Sequence, residues 1–162
     1  MMKQDTILLV DADGDCEEIV ARAATRLRYR VRWIRTSREA FKFLNKEVRD
    51  LALIIVDLDP GAHGLAILEA VSACADSAGV VVLTALEESY AGPISRTHGA
   101  AACLAKPIDS EKLARTIEVV MEHQFLTCDL WGHTKPRPCH GRREASTALR
   151  GIAAKLSPSV TE

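Results

Sequence analysis

Four hydrophilic residues stand where apolar runs stop. TILLV (6–10) runs into Asp11, LALIIV (51–56) into Asp57, and GVVVL (79–83) into Thr84. AAACL (100–104) is followed, after Ala105, by Lys106-Pro107. Two carboxylates brought close together repel each other and suit a hard divalent cation such as Mg²⁺. A lysine offsets negative charge as a mobile point charge, and a threonine hydroxyl can donate to an anionic oxygen. Together these groups could handle a phosphoryl group. The cation and Lys106 would neutralise it, Thr84 would orient it, and one carboxylate would attack phosphorus to give an acyl phosphate. A further acid, Asp59, follows Asp57 by two residues and precedes Pro60-Gly61, which reads as a turn.

These residues converge only if the runs lie side by side. Continuous apolar runs are the pattern of buried parallel strands. Between them, Ile19, Val20, Ala23, Ala24 and Leu27 recur at helical spacing after Asp15, a potential cap. Residues 30–34 (RVRWI) alternate, as a strand near a sheet edge does. Ser37 can cap a helix carrying Ala40, Phe41 and Leu44, and Leu65, Leu68 and Val71 mark another. Over residues 87–98, Pro93 interrupts the pattern, so the regular helix is predicted to start near Pro93. Asp109 or Ser110 caps a last helix with Leu113, Ile117 and Val120 inward. Five strand-then-helix units imply an α/β fold, a parallel sheet covered on both faces by right-handed crossovers. In such open sheets, ligands bind outside the carboxyl ends of the strands, where the four residues fall.

Composition narrows the classes. The chain has 162 residues, 48% of them hydrophobic, enough for one domain with an appendage. Net charge is −1, so bulk charge gives no reason to expect contact with nucleic acid or a membrane surface. No apolar run approaches the roughly 18–20 residues of a membrane span. The N-terminus meets acids too early for a secretory signal, and the cytoplasm is the expected location. The five cysteines, Cys16, Cys74, Cys103, Cys128 and Cys139, are scattered and read as reduced thiols. A domain over 5–122 is expected, then an extension over 123–162. From about residue 123 the sequence reads as a linker or loosely packed segment, with a possible helix at 142–156.

Four segments, ILLVDAD (7–13), IIVDLDPGAHG (54–64), VVVLTA (80–85) and GAAACLAKP (99–107), resemble the receiver domain of response regulators, the CheY-like domains of two-component phosphorelay signalling. The resemblance covers about residues 5–122. It implies a flavodoxin-like (βα)5 doubly wound sheet with strand order 2-1-3-4-5. It implies that Asp57 is the phosphoacceptor, that Thr84 and Lys106 sense the phosphoryl group, and that the Lys106-Pro107 bond is cis. Mg²⁺ would be held by Asp11, Asp57 and the backbone carbonyl of Asp59, with Asp13 as a substitute ligand if its loop turns early. The implied partners are a histidine kinase or phosphotransfer protein and a downstream protein effector in trans. A homodimer is left open, and neither nucleic acid nor membrane is expected as a direct partner. Such a domain is a signalling module, not an enzyme.

Three departures stand out. Ala12 occupies the place of the family's second acid, which is expected to weaken the Mg²⁺ site. Cys103 occupies the place of an aromatic switch residue, and a thiol cannot swing a ring. The loop after Asp57 is one residue shorter than the common pattern. These departures keep a second reading open, a degenerate receiver acting as a phosphorylation-independent protein-interaction module. A nucleotide-binding domain or small flavodoxin-like enzyme ranks lower, because DADGDC (11–16) holds one glycine among acids that would repel phosphate.

Overall fold

The computed structural model describes residues 5–12, 14–47, 51–58, 64–74 and 78–130. Strands and helices alternate: β1 (Thr6–Val10), α1 (Glu17–Arg26), β2 (Arg30–Ile34), α2 (Ser37–Glu47), β3 (Leu51–Asp57), α3 (Gly64–Cys74), β4 (Gly79–Thr84), α4 (Glu88–Thr97), β5 (Ala102–Ala105) and α5 (Ser110–Leu130). The five strands form one parallel sheet in the order β2-β1-β3-β4-β5.

Alternation along each strand divides the core between two faces. Leu8, Val10, Ile54, Val56, Val80 and Val82 pack with Ala40, Phe41, Leu44, Leu68 and Val71 from α2 and α3. Ile7, Leu9, Leu53, Ile55, Val81 and Leu83 pack with Val20, Ala23, Leu113 and Ile117 from α1 and α5. Every residue from Leu51 to Val56 is therefore buried, which is why the run reads as continuously apolar. Full burial of each Leu, Ile or Val side chain among them contributes roughly 1.5–3 kcal/mol. Among the described residues, no helix is long and apolar enough to cross a membrane.

Several local expectations are corrected. α4 begins at Glu88 and carries Pro93 inside it. Its first turn closes without the proline, because the Glu87 carbonyl accepts from the N–H groups of Tyr90 and Ala91. Proline removes only the donor for the carbonyl of Ser89, an exposed residue that water can serve. Asp15 does not cap α1. Cys16 takes the N-cap position with no side-chain cap, and its N–H is held by Asp11 instead. Thr36, not Ser37, caps α2, its Oγ1 accepting from the Glu39 N–H at 3.2 Å. Asp109 caps α5 in the same way, through the Glu111 N–H at 2.8 Å.

β5 begins at Ala102 rather than at residue 100, because the residues before it close α4. Gly99, at φ 97°, donates to Arg96, and Ala100 donates to Ser95. α5 continues to Leu130, into the segment read from its composition as linker, since no glycine or proline intervenes before Gly132. The helix expected at 142–156 lies outside the described residues.

Candidate functional site at the carboxyl edge of the sheet

The parallel register places the ends of β1, β3, β4 and β5 along one edge. Asp11 follows β1 directly, still paired through its N–H to the Ile34 carbonyl at 3.1 Å. Only 1% of Asp11 is exposed. Asp57 is the last residue of β3, opposite Leu83 of β4, with 5% of its side chain exposed. Lys106 follows β5, its N–H donating to the Thr84 carbonyl at 2.7 Å, and the Lys106-Pro107 peptide is cis. From there its Nζ donates to Asp57 Oδ2 at 2.7 Å. The lysine side chain is itself 17% exposed, so this ion pair is largely shielded from water.

Thr84 ends β4 and is buried. Its Oγ1 accepts from the Leu86 N–H at 3.1 Å, which ties the hydroxyl to the loop that leads into α4. That bond uses an oxygen lone pair and leaves the hydroxyl proton able to donate.

Cys16 belongs to the pocket and was not among the residues singled out from the sequence. Its N–H donates to Asp11 Oδ2 at 3.0 Å. Ligand atoms of Asp11, Cys16 and Asp57 all lie within 4.8 Å of one another. Burial pushes the Cys16 thiol up to about 11; the nearby Lys106 ammonium acts against this, and the charges of Asp57 and Asp11 add to it. At neutral pH the thiol therefore keeps its proton, and the pocket's anionic donors are its two carboxylates. Two carboxylate oxygens fit a hard cation such as Mg²⁺, which keeps several waters. Position was the available signal for Cys16. It lies five residues past Asp11 at a helix start, where the chain must turn back over the strand end.

Trp33 was also missed. It reads as one apolar member of an alternating strand, but its Nε1 donates to the Asp11 carbonyl at 2.9 Å. Its ring lies against Gly14, where a Cβ would sit 2.9 Å from Cζ2 and 3.0 Å from Cη2. Gly14 has φ +80°, a conformation L side chains rarely adopt, so two independent reasons require glycine there. The Arg35 guanidinium lies 4.0 Å from the Trp33 ring centroid. The acid-bearing loop is thus pinned by β2.

Cys103 is buried on β5 between strand and α4, and it accepts from Ser95 Oγ at 3.7 Å. The α4–β5 contact is built from small groups, with Ala91 and Ala100 in the same cluster. Asp13 and Asp59, the other ligands expected from the sequence, lie outside the described residues.

Comparison with known proteins agrees with this fold. The family profile of the response regulator receiver domain matches residues 7–118. Among solved structures, a response regulator from Thermotoga maritima has a TM-score of 0.65 and 24% identity, over 72% of this chain and 97% of its own. A CheY-like receiver domain protein from Methanospirillum hungatei JF-1 has a TM-score of 0.67 and 21% identity, over 78% and 99%. The chemotaxis protein CheY4 of Vibrio cholerae has a TM-score of 0.62 and 24% identity, over 74% and 99%. A search of curated proteins finds no match. The structural likenesses establish the fold, and with the profile match over most of its length the chain belongs to the family of response regulator receiver domains.

Proposed function

We propose that this domain is a phosphorylation-driven signalling switch in which Asp57 accepts a phosphoryl group from a histidine kinase or phosphotransfer protein. A carboxylate oxygen of Asp57 attacks phosphorus in line with the donor. The P–N bond to the donor imidazole breaks, its electron pair returns to the imidazole, and an acyl phosphate forms on Asp57. The observation that carries this reading is the Lys106 Nζ–Asp57 Oδ2 contact of 2.7 Å beside buried Asp11. Lys106 is already at the acceptor and offsets the charge that arrives. Asp11 and Asp57 are the residues that would hold Mg²⁺, whose charge stabilises phosphoryl oxygens when it is bound.

Thr84 reports the event. Its hydroxyl turns to donate to the new phosphoryl oxygen, and the Leu86 N–H bond that ties it to the α4 loop changes with it. With Cys103 in place of a ring, the change reaches α4 and β5 through the Thr84 loop and the Ser95–Cys103 contact rather than through a rotating aromatic. The face of α4, β5 and α5 then meets a downstream protein in trans.

The test is incubation with acetyl phosphate and Mg²⁺, followed by intact-mass measurement. The expected result is a gain of one phosphoryl group, absent in Asp57→Asn and in chelator. No gain at all, with partner binding intact in Asp57→Ala, would replace this reading by the phosphorylation-independent module.

A further inference from the structure

The densest run of like charge in the sequence spans the end of α1, β2 and the start of α2. Residues 26–38, RLRYRVRWIRTSR, hold Arg26, Arg28, Arg30, Arg32, Arg35 and Arg38, with no acid and no lysine among them. The segment carries +6 in a chain of net charge −1, so the remainder carries −1 − 6 = −7. All six arginines are exposed, at the end of α1, along β2 and at the start of α2. Arg30 is paired with Asp5 at 2.6 Å, and that pair is itself exposed. Among the described residues the other five have no ion-pair partner. Two are held in place by rings, Arg35 on Trp33 and Arg32 at 6.0 Å from the Phe43 centroid, so ordering them on a ligand loses little rotamer freedom.

β2 is also a free sheet edge among the described residues, since its one strand partner is β1. The Arg30 N–H donates inward to Asp5 and the Ile34 carbonyl accepts inward from Asp11. By alternation in a parallel strand, Val31 and Trp33 present their N–H and C=O groups outward. The edge therefore offers backbone hydrogen bonds spaced for another strand, flanked by guanidinium groups. Pairing of β2 with β2 of a second copy would bring arginines against arginines, which opposes self-association. An acidic strand meets no such opposition.

We propose that the β2 edge is a docking site for an extended acidic peptide segment of a partner protein, which adds as a sixth strand with Asp or Glu at alternate positions facing Arg30 and Arg32. A nucleic acid backbone fits less well. Its phosphate oxygens could accept from the Val31 and Trp33 N–H groups, but a DNA backbone has no donors for their carbonyls, and the negative remainder of the domain repels a long polyanion. This inference is independent of the phosphoryl reading.

The test uses an acetylated peptide of alternating glutamate and valine, with oligothymidylate of equal charge as the comparison probe. Trp33 emission reports binding, read in a chain with Trp131→Phe. The expected result is saturable peptide binding that weakens with salt and survives Asp57→Asn. Amide exchange at Val31 and Trp33 should slow on binding. Arg32→Glu with Arg28→Glu should weaken the peptide about tenfold, and Arg32→Lys much less, with far-UV circular dichroism unchanged. Tighter binding of oligothymidylate than of peptide would overturn the proposal in favour of a nucleic-acid surface. Binding of neither probe would also overturn it, leaving the arginines as guards against edge-to-edge aggregation.

Discussion

Replacing Gly14 by alanine tests how the acid loop is held. At φ +80° an alanine is strained, which costs about 1–2 kcal/mol. The added Cβ would also stand 2.9 Å from Cζ2 of Trp33, well inside van der Waals contact. The ring cannot simply move aside, because its N–H is bonded to the Asp11 carbonyl at 2.9 Å and Arg35 lies 4.0 Å from its centroid. Displacing it forfeits that hydrogen bond, a further ~0.5–1.5 kcal/mol. The sum is about 1.5–3.5 kcal/mol, a large part of the roughly 5–15 kcal/mol that holds a domain folded. Urea unfolding by circular dichroism should show a lower midpoint with an unchanged slope. Trp33→Leu opens the space, so the double variant Gly14→Ala/Trp33→Leu should lose only the strain component beyond Trp33→Leu alone. That gives a coupling of about 1 kcal/mol in the double-mutant cycle. A Gly14→Ala loss within about 0.5 kcal/mol of zero, or the same loss with and without the Trp33 ring, would refute the clamp.

Three further outcomes follow from the pocket. Lys106→Ala removes the ammonium that Asp57 now holds at 2.7 Å, so Mg²⁺ should bind several-fold more tightly while the response to phosphorylation is lost; a Mg²⁺ titration followed by Trp33 emission checks the first part. Ala12→Asp supplies the missing acid, and the same titration should show about tenfold tighter Mg²⁺ binding. The Cys16 thiol, raised to about 11 in the folded chain, binds its proton more tightly folded than unfolded. Its contribution to stability is therefore complete below the ordinary thiol range near 8.5 and is lost as pH rises from there through about 11. Unfolding midpoints across that window should fall in the native chain and fall less in Cys16→Ala. Iodoacetamide should label Cys16 slowly at neutral pH.

The sheet was legible because its strands are buried on both faces, so LALIIV and GVVVL announce themselves without any alternation to decode. The residues that follow them were legible for the same reason, since a hydrophilic group directly after such a run has to lie at the sheet edge. Cys16 and Trp33 were not. Each reaches the pocket by way of a turn or a neighbouring strand, and neither residue type at its position signals a bond to Asp11. α4 misled because proline is costly in a helix interior, whereas here the turn before Pro93 closes on Glu87 and one exposed carbonyl absorbs the loss. The start of β5 is not legible in AAACL, because small apolar residues suit both a strand and the Gly99–Ala100 helix ending that precedes it.

The central claim is that Asp57, backed by Asp11 and Lys106, is a functioning phosphoacceptor despite Ala12. Fluorine NMR of beryllofluoride, a phosphoryl mimic, tests it most directly. In the presence of Mg²⁺ the account predicts bound fluoride resonances that vanish in Asp57→Asn and on chelation, with a shift in the Leu86 amide as Thr84 turns. No bound resonance at millimolar Mg²⁺ and beryllofluoride, or resonances that persist in Asp57→Asn, would contradict it.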